Sequence, residues 1–276
     1  MSITFIGGGN MAGALIGGLV ARGQVGGDFR VVEPAAPQRE RLAASFPGIG
    51  LHAEPSAAAL AGARLVVLAV KPQKMREAAV ALAPHLPAAA PPVILSIAAG
   101  IRLADVGRWL GGATQLVRAM PNTPALIGKG ISGVYAAAGT DAAGRSLAAE
   151  VLEAGGEVVW VDDERMLDAV TGVTGSGPAY VFYFLEALEQ GAQELGFAPE
   201  VARRLAYATV AGAIALAQRS EHAPATLRAQ VTSEGGTTQR ALAVMEEGRV
   251  KPMIIAAVKA AALRARELGD AFGAQG

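Results

Sequence analysis

A strand, a glycine turn and a helix follow one another at the start of the chain, and few folds accommodate that order. Residues 1–14 read MSITFIGGGNMAGA, with the β-branched and aromatic content of a buried strand at 3–6. Gly7-Gly8-Gly9-Asn10-Met11-Ala12 then fits G-x-G-x-x-G/A, and residues 12–20 continue with apolar side chains at helical spacing. Glycine at the turn permits positive φ, and a backbone without Cβ lets a diphosphate approach closely. The free N–H groups of the helix N-terminus then attract its charge. A glycine triplet alone can be no more than a flexible turn. A strand before it and a helix behind it make it a dinucleotide site and the first unit of a parallel sheet.

The next segments extend that pattern. Residues 29–32 read as a second strand ending on Glu33-Pro34, and residues 37–46 as a helix with Arg39 and Arg41 on its exposed side. Glu33 lies about 20 residues past the turn, where an acidic side chain accepts hydrogen bonds from the adenosine ribose and repels a 2′-phosphate. A solvated carboxylate at a strand end is the plainer alternative. The run LVVLAV at 65–70 is continuously apolar, as a parallel strand covered on both faces requires, and Lys71-Pro72 ends it. Lys71 is placed to face a phosphate or ribose, or to snorkel from the strand end. Residues 93–97 and 116–120 repeat the pattern. The first ends in Ala98-Ala99-Gly100, small enough for a flat ring to lie against the backbone, and the second in Pro121-Asn122-Thr123-Pro124. A helix at 141–154 and a last strand at 158–161 complete an α/β fold whose N-terminal part is a Rossmann-type doubly wound sheet.

From residue 164 the strand signals cease, so the domains are expected at 1–163 and 164–276, the second all-α. Helices are expected at 178–195, 200–219, 238–247 and 252–268. Residues 205–217 (LAYATVAGAIALA) carry no charge, and a helix apolar all round must be buried on every side. So short a helical domain cannot supply that cover alone, which predicts completion by the same domain of a second subunit. The whole chain of 276 residues is 52% hydrophobic and only 17% charged, with 24 basic and 24 acidic side chains. That balance argues against a nucleic-acid partner. The apolar runs at 17–20 and 65–70 are far too short to span a bilayer. Cysteine is absent, so disulfides, thiolate metal sites and a Cys nucleophile are excluded. With no basic n-region ahead of the first strand, no signal peptide is expected, and a cytoplasmic location fits.

Two stretches of the second half carry chemistry. Residues 171–180 (TGVTGSGPAY) form a Gly-, Ser- and Thr-rich loop entering a helix near Pro178, where proline suits the first turn. Capping explains part of it. The density of small residues also points to close approach by a ligand or by another backbone. Residues 231–238 (VTSEGGTT) place a second glycine turn at a helix N-terminus, where backbone N–H groups would bind a small carboxylate without arginine. The lysines are Lys71, Lys74, Lys129, Lys251 and Lys259, and the histidines His52, His85 and His222. No metal-spaced cluster and no Ser–His–Asp set is among them, so no metal is expected. An alcohol dehydrogenase usually needs a His or Lys base near the hydroxyl, and no lysine lies between residues 130 and 250. A protonated C=N is already electrophilic, so reduction of an imine requires only that it be held against the hydride donor.

Together these stretches resemble Δ1-pyrroline-5-carboxylate reductase. FIGGGNMAGALIGGL, AVKPQ, SIAAG, VRAMPNTP, DAVTGVTGSGPAYVF and VTSEGGTT occur in that family's order and spacing over essentially the whole chain. The resemblance implies reduction of 1-pyrroline-5-carboxylate to L-proline by hydride transfer from NADPH or NADH, the final step of proline synthesis. It implies a homodimer through the helical domain, which in the family often assembles into a decamer of five dimers. It places Ile6, Gly7, Gly8, Gly9, Asn10 and Met11 on the dinucleotide diphosphate. Ser56, Ala69, Val70, Lys71, Pro72, Ile97, Ala98 and Ala99 fall on the rest of the cofactor, Gln230 matches a further site position assigned to it, and Glu33 joins them by its spacing from the turn. Glu164, Ser233, Gly236, Thr237 and Thr238 fall on the substrate, with the Thr238 hydroxyl as candidate proton relay. Family members that favour NADPH often carry Ser, Asn or Arg at the end of the second strand. Glu33-Pro34 offers neither a cation nor a hydroxyl, and Ser56 stands where Asn is often found, so NADH is expected to serve at least as well as NADPH. Two other readings remain. A β-hydroxyacid dehydrogenase would use a lysine in the helical domain, against which the absence of lysine between residues 130 and 250 argues, and an NAD-sensing scaffold would not need VTSEGGTT.

Overall fold

The computed structural model describes residues 2–273. By proximity of its residues the chain divides into two compact units, Met1–Ser176 with Ala260–Gly276, and Gly177–Lys259.

The first unit is built on an eight-stranded sheet of order β3-β2-β1-β4-β5-β6-β7-β8. Its strands are β1 (Ile3–Ile6), β2 (Phe29–Val32), β3 (Gly50–His52), β4 (Leu65–Leu68), β5 (Val93–Ser96), β6 (Leu116–Met120), β7 (Gly130–Ala136) and β8 (Gly156–Trp160). The helices of this unit are α1 (Asn10–Ala21), α2 (Ala36–Ser45), α3 (Met75–Leu82), α4 (Leu103–Trp109), α5 (Ala142–Glu153) and α6 (Met166–Val170). Strands β1 to β6 are parallel, so β1 separates two series of crossovers that run in opposite directions along the sheet. Continuous apolar runs are needed because alternate residues of one strand serve two cores. Phe5, Val31 and Val67 pack with Leu15, Ile16, Leu42 and Val151 from α1, α2 and α5. Their neighbours Ile6, Val32 and Val66 pack with Met75, Leu82, Val106 and Trp109 from α3 and α4. Helices thus cover both faces, as the doubly wound expectation requires.

Two strands depart from the sequence pattern. β3 has only three residues, and β7 (GISGVYA) has two glycines and a serine where an apolar run would stand. β7 follows β6 after a 3₁₀ turn, Thr123–Ile127, rather than after a crossover helix, and it pairs antiparallel with β6. That is the geometry a short connection permits, since parallel pairing needs a dozen or more residues between strands. Residues 171–175, expected as a loop, form instead a wide π-helical turn continuing α6. The Thr171 and Thr174 hydroxyls donate to the Leu167 and Val170 carbonyls at 2.8 and 3.0 Å, and the Ser176 amide reaches the Thr171 carbonyl at 2.9 Å. α6 packs on β6 and β7, so residues 164–176 join the sheet unit rather than the helical one.

The second unit consists of α7 (Gly177–Glu194), α8 (Pro199–Gln218), α9 (Pro224–Gln230), α10 (Thr237–Glu247) and the first part of α11 (Val250–Gly273). Gly196, at φ +98°, follows α7, and Pro199 opens α8. α9 lies in a stretch whose sequence pattern names no helix. α7 packs against α8, yet only Ala202 and Ala206 of α8 are buried within the chain. Phe182, Tyr183, Tyr207, Ile214 and Leu216 are each more than half exposed. An exposed apolar surface of this extent marks an interaction face. None of the described helices is long and apolar enough to cross a membrane.

Candidate active site

The carboxyl ends of β1, β2, β4 and β5 share one edge of the sheet, and the first site residues lie there. Gly7 leaves β1 at φ +97°, its amide donating to the Val32 carbonyl at 2.8 Å. A Cβ on Gly7 would stand 2.8 Å from the Ala69 carbonyl oxygen, so the turn lies directly against the end of β4. The Ala69 amide donates to the Ile6 carbonyl at 2.8 Å, and the Ile97 amide to the Leu68 carbonyl at 3.1 Å. These bonds bring Ile6, Gly7, Ala69 and Ile97 together. Val70, Lys71 and Pro72 continue from Ala69, and Ala98 and Ala99 from Ile97. Lys71 is exposed, whereas Ala98 is buried. Ser56 lies in the turn after β3, where its hydroxyl accepts from the Ala59 amide at 3.2 Å.

The three glycines do different work. Gly8 packs inward, because a Cβ there would come within 2.6 Å of the Leu42 side chain. Gly9, the N-cap of α1, faces open space, with nothing within 4 Å of the point where a Cβ would stand. The amides of Gly9, Asn10, Met11 and Ala12 find no acceptor among the described residues, and the first turn of α1 holds no acidic side chain. By contrast α5 is capped by Asp141, whose carboxylate accepts from the Gly144 amide at 2.7 Å. The start of α1 therefore offers uncapped donors, the positive end of the helix dipole and room for a backbone approach. These residues fit the diphosphate of a dinucleotide.

Glu33 is bound to the same turn. Its Oε2 accepts from the Gly8 amide and its Oε1 from the Ala35 amide, both at 2.9 Å. Arg39, expected on the exposed face of α2, turns back instead and donates to the Glu33 and Pro34 carbonyls at 2.7 and 2.8 Å. A cation therefore sits beside Glu33-Pro34 after all, supplied from the following helix.

In the second unit, Gly235 (φ +69°) and Gly236 lead into α10. The Gly235 amide donates to the Gln239 side-chain oxygen at 2.6 Å and the Gly236 amide to the Ser233 carbonyl at 3.1 Å. The amides of Thr237, Thr238 and Gln239 find no acceptor among the described residues, and the first turn of α10 holds no acidic side chain. Thr237 is exposed and Thr238 half-buried. Gln230 ends α9 and is exposed, as is Ser233. This second uncapped helix start has the donors for a small carboxylate.

Glu164 belongs to a charge network of the sheet unit. Its Oε1 accepts from Arg118 Nη1 at 3.0 Å and from the Leu103 amide at 2.8 Å. Arg118 is 1% exposed, and its other branch lies 3.7 Å from Asp168, itself held by Arg102 at 2.9 Å. Burial lowers the Arg118 pKa from its ordinary value, while Glu164 and Asp168 oppose that shift. Asn122 is a further residue to which the sequence pattern assigns no role. It accepts from the Ile131 amide at 2.9 Å and donates to the Thr174 carbonyl at 3.1 Å, so it joins the turn after β6 to the π-helical turn. A Cβ on Gly175 would stand 2.7 Å from the Met120 side chain. The close approach inferred for residues 171–180 is thus made, in part, by the end of β6.

Comparison with known proteins covers the chain from both ends. The family described as pyrroline-5-carboxylate reductase dimerisation matches residues 164–268, and that described as NADP oxidoreductase, coenzyme F420-dependent, matches residues 2–100. A pyrroline-5-carboxylate reductase of Pseudomonas aeruginosa is 44% identical over 98% of each chain. That of Haemophilus influenzae is 36% identical, again over 98% of each chain. The solved structure of a pyrroline-5-carboxylate reductase from Coxiella burnetii is 36% identical and superposes with a TM-score of 0.88, covering 97% of this chain and 98% of the other.

Proposed function

The chain belongs to the pyrroline-5-carboxylate reductase family, and from that membership we propose how its residues divide the reaction. The activity is the NAD(P)H-dependent reduction of 1-pyrroline-5-carboxylate to L-proline. The uncapped start of α1, with Gly7 and Gly9, binds the dinucleotide diphosphate. Ala69 to Pro72 and Ile97 to Ala99 line the rest of the cofactor on the same sheet edge, with Ser56 and Gln230 as further contacts. Glu33 meets the adenosine ribose. When bound, the nicotinamide supplies a hydride from C4, which goes to C5 of the ring.

The substrate carboxylate is held at the start of α10 by the amides of Thr237 and Thr238, beside Gly236 and Ser233. The observation that carries this reading is that α10 begins with unpaired amides and no capping side chain or acidic residue, although it has eleven residues to stabilise. Fixing the carboxylate orients the ring, and orientation is most of what a protonated imine needs. The Thr238 hydroxyl relays the proton that turns the imine into its protonated form, and the ring nitrogen becomes the amine of proline as C5 receives the hydride. Glu164 acts on the substrate side, oriented by Arg118 and the Leu103 amide.

The helical unit forms a homodimer, which covers the apolar faces of α7 and α8. Further assembly of five dimers, no dealings with nucleic acid or membranes, and a cytoplasmic location belong to the same proposal. The test is turnover of both NADH and NADPH with pyrroline-5-carboxylate, run beside small hydroxyacids with the oxidised cofactors. Faster oxidation of hydroxyacids would replace this reading with the dehydrogenase one, and no turnover with any pair would favour a sensor.

A further inference from the structure

The turn after β2 holds two opposite charges, each bonded to backbone rather than to the other. Glu33 is tied by both carboxylate oxygens, to the Gly8 and Ala35 amides at 2.9 Å. Its charge is therefore fixed beside the glycine turn, where it repels a phosphate. Arg39 lies in the first turn of α2 and reaches back over the same loop, one guanidinium nitrogen donating to the Glu33 and Pro34 carbonyls at 2.7 and 2.8 Å. Carbonyl oxygens orient a guanidinium without neutralising it. Arg39 forms no ion pair among the described residues and is half-buried. A cation in the first helical turn also opposes the helix dipole, so stability of α2 does not explain it. Its planar fork suits a phosphate, which accepts two parallel hydrogen bonds.

We propose that Arg39 binds the 2′-phosphate of NADPH, opposing Glu33, so that the balance between these two side chains sets the preference between NADPH and NADH. The inference rests on the assignment of the sheet edge to the dinucleotide. It also alters the expectation drawn from Glu33-Pro34 alone, since the missing cation arrives from α2. Glu33 accepts the free ribose hydroxyl of NADH, and Arg39 holds the phosphate of NADPH at the same end of the cofactor.

The test is calorimetric titration of the intact chain with adenosine 2′,5′-bisphosphate and with 5′-AMP, which differ by the phosphate in question. Arg39→Ala is expected to weaken the bisphosphate about 10- to 100-fold relative to 5′-AMP, the range for a hydrogen bond to a charged group. Arg39→Lys falls between, because it keeps the charge and loses the fork, and Glu33→Gln tightens the bisphosphate. The ratio of kcat/KM for NADPH over NADH follows the same order. Arg39→Met keeps the aliphatic stem and carries the test if the alanine variant loses its cooperative melting transition. A bisphosphate affinity within about threefold of wild type in both Arg39→Ala and Arg39→Met, with 5′-AMP still bound, overturns the role of Arg39 alone. A wild-type chain that binds neither nucleotide overturns the dinucleotide assignment with it.

Discussion

Gly7 and Gly9 stand two residues apart, yet alanine at each is expected to fail for a different reason. At Gly7 the backbone has φ +97°, and the new Cβ would meet the Ala69 carbonyl at 2.8 Å, a contact with backbone that no rotamer relieves. Positive φ costs an alanine about 1–2 kcal/mol, and overpacking of this kind adds about 1–3 kcal/mol. Gly7→Ala should therefore lose about 2–5 kcal/mol of folding stability. Gly9 has φ −71° and ψ −173°, ordinary values for alanine, and nothing lies within 4 Å of the added carbon. Its folding cost is at most about 1 kcal/mol, from the poorer N-cap. The methyl group would instead occupy the space through which the diphosphate approaches α1. Losing two charge-assisted hydrogen bonds, at about 1.5–3 kcal/mol each, weakens binding by about 3 kcal/mol or more, over 100-fold. Guanidinium unfolding and fluorescence titration with NADPH separate the two effects. If Gly9→Ala binds NADPH within about threefold of wild type, the diphosphate does not lie over the start of α1 and the reasoning fails.

Two further predictions concern the helical unit. Thr238→Ala should lower kcat about 100-fold, the scale of a lost proton relay, and leave NADPH affinity nearly intact; lost cofactor binding would contradict the assigned role. Ile214→Glu places a charge on α8, which carries none from residue 205 to 217, where Ile214 is 56% exposed in the single chain. Sedimentation velocity should then show the dimer weakened about 100-fold or more, as expected for a desolvated unpaired charge, and an unchanged dimer would remove α8 from the interface.

The parallel strands are legible in the sequence because burial on both faces demands apolar runs, and ITFI, LVVL and VILS meet that demand. β7 is not, because Gly130, Ser132 and Gly133 dilute its pattern; a Cβ on Gly133 would stand 2.7 Å from the Val170 side chain, so tight packing of α6 on the strand requires the small residue. The π-helical turn is equally hidden. TGVTG reads as a loop from composition, and only the Thr171 and Thr174 hydroxyls, bonded back to the preceding turn, show that the helix continues. Both glycine turns could be read as anion sites from their order alone, strand or loop before and helix after. Arg39 could not, because helical spacing places it on the solvent side and says nothing of a side chain that folds back along the chain. Arg118 was similarly out of reach. Its partners Glu164 and Asp168 lie 46 and 50 residues away, and no local pattern announces a buried ion network.

The most direct test of hydride delivery to the imine uses NADPH carrying deuterium at both positions of nicotinamide C4, with pyrroline-5-carboxylate and the intact chain. The account predicts that L-proline forms with one deuterium at C5, detected by NMR and mass spectrometry. Proline without deuterium at C5, or oxidation of the cofactor without proline, would contradict it.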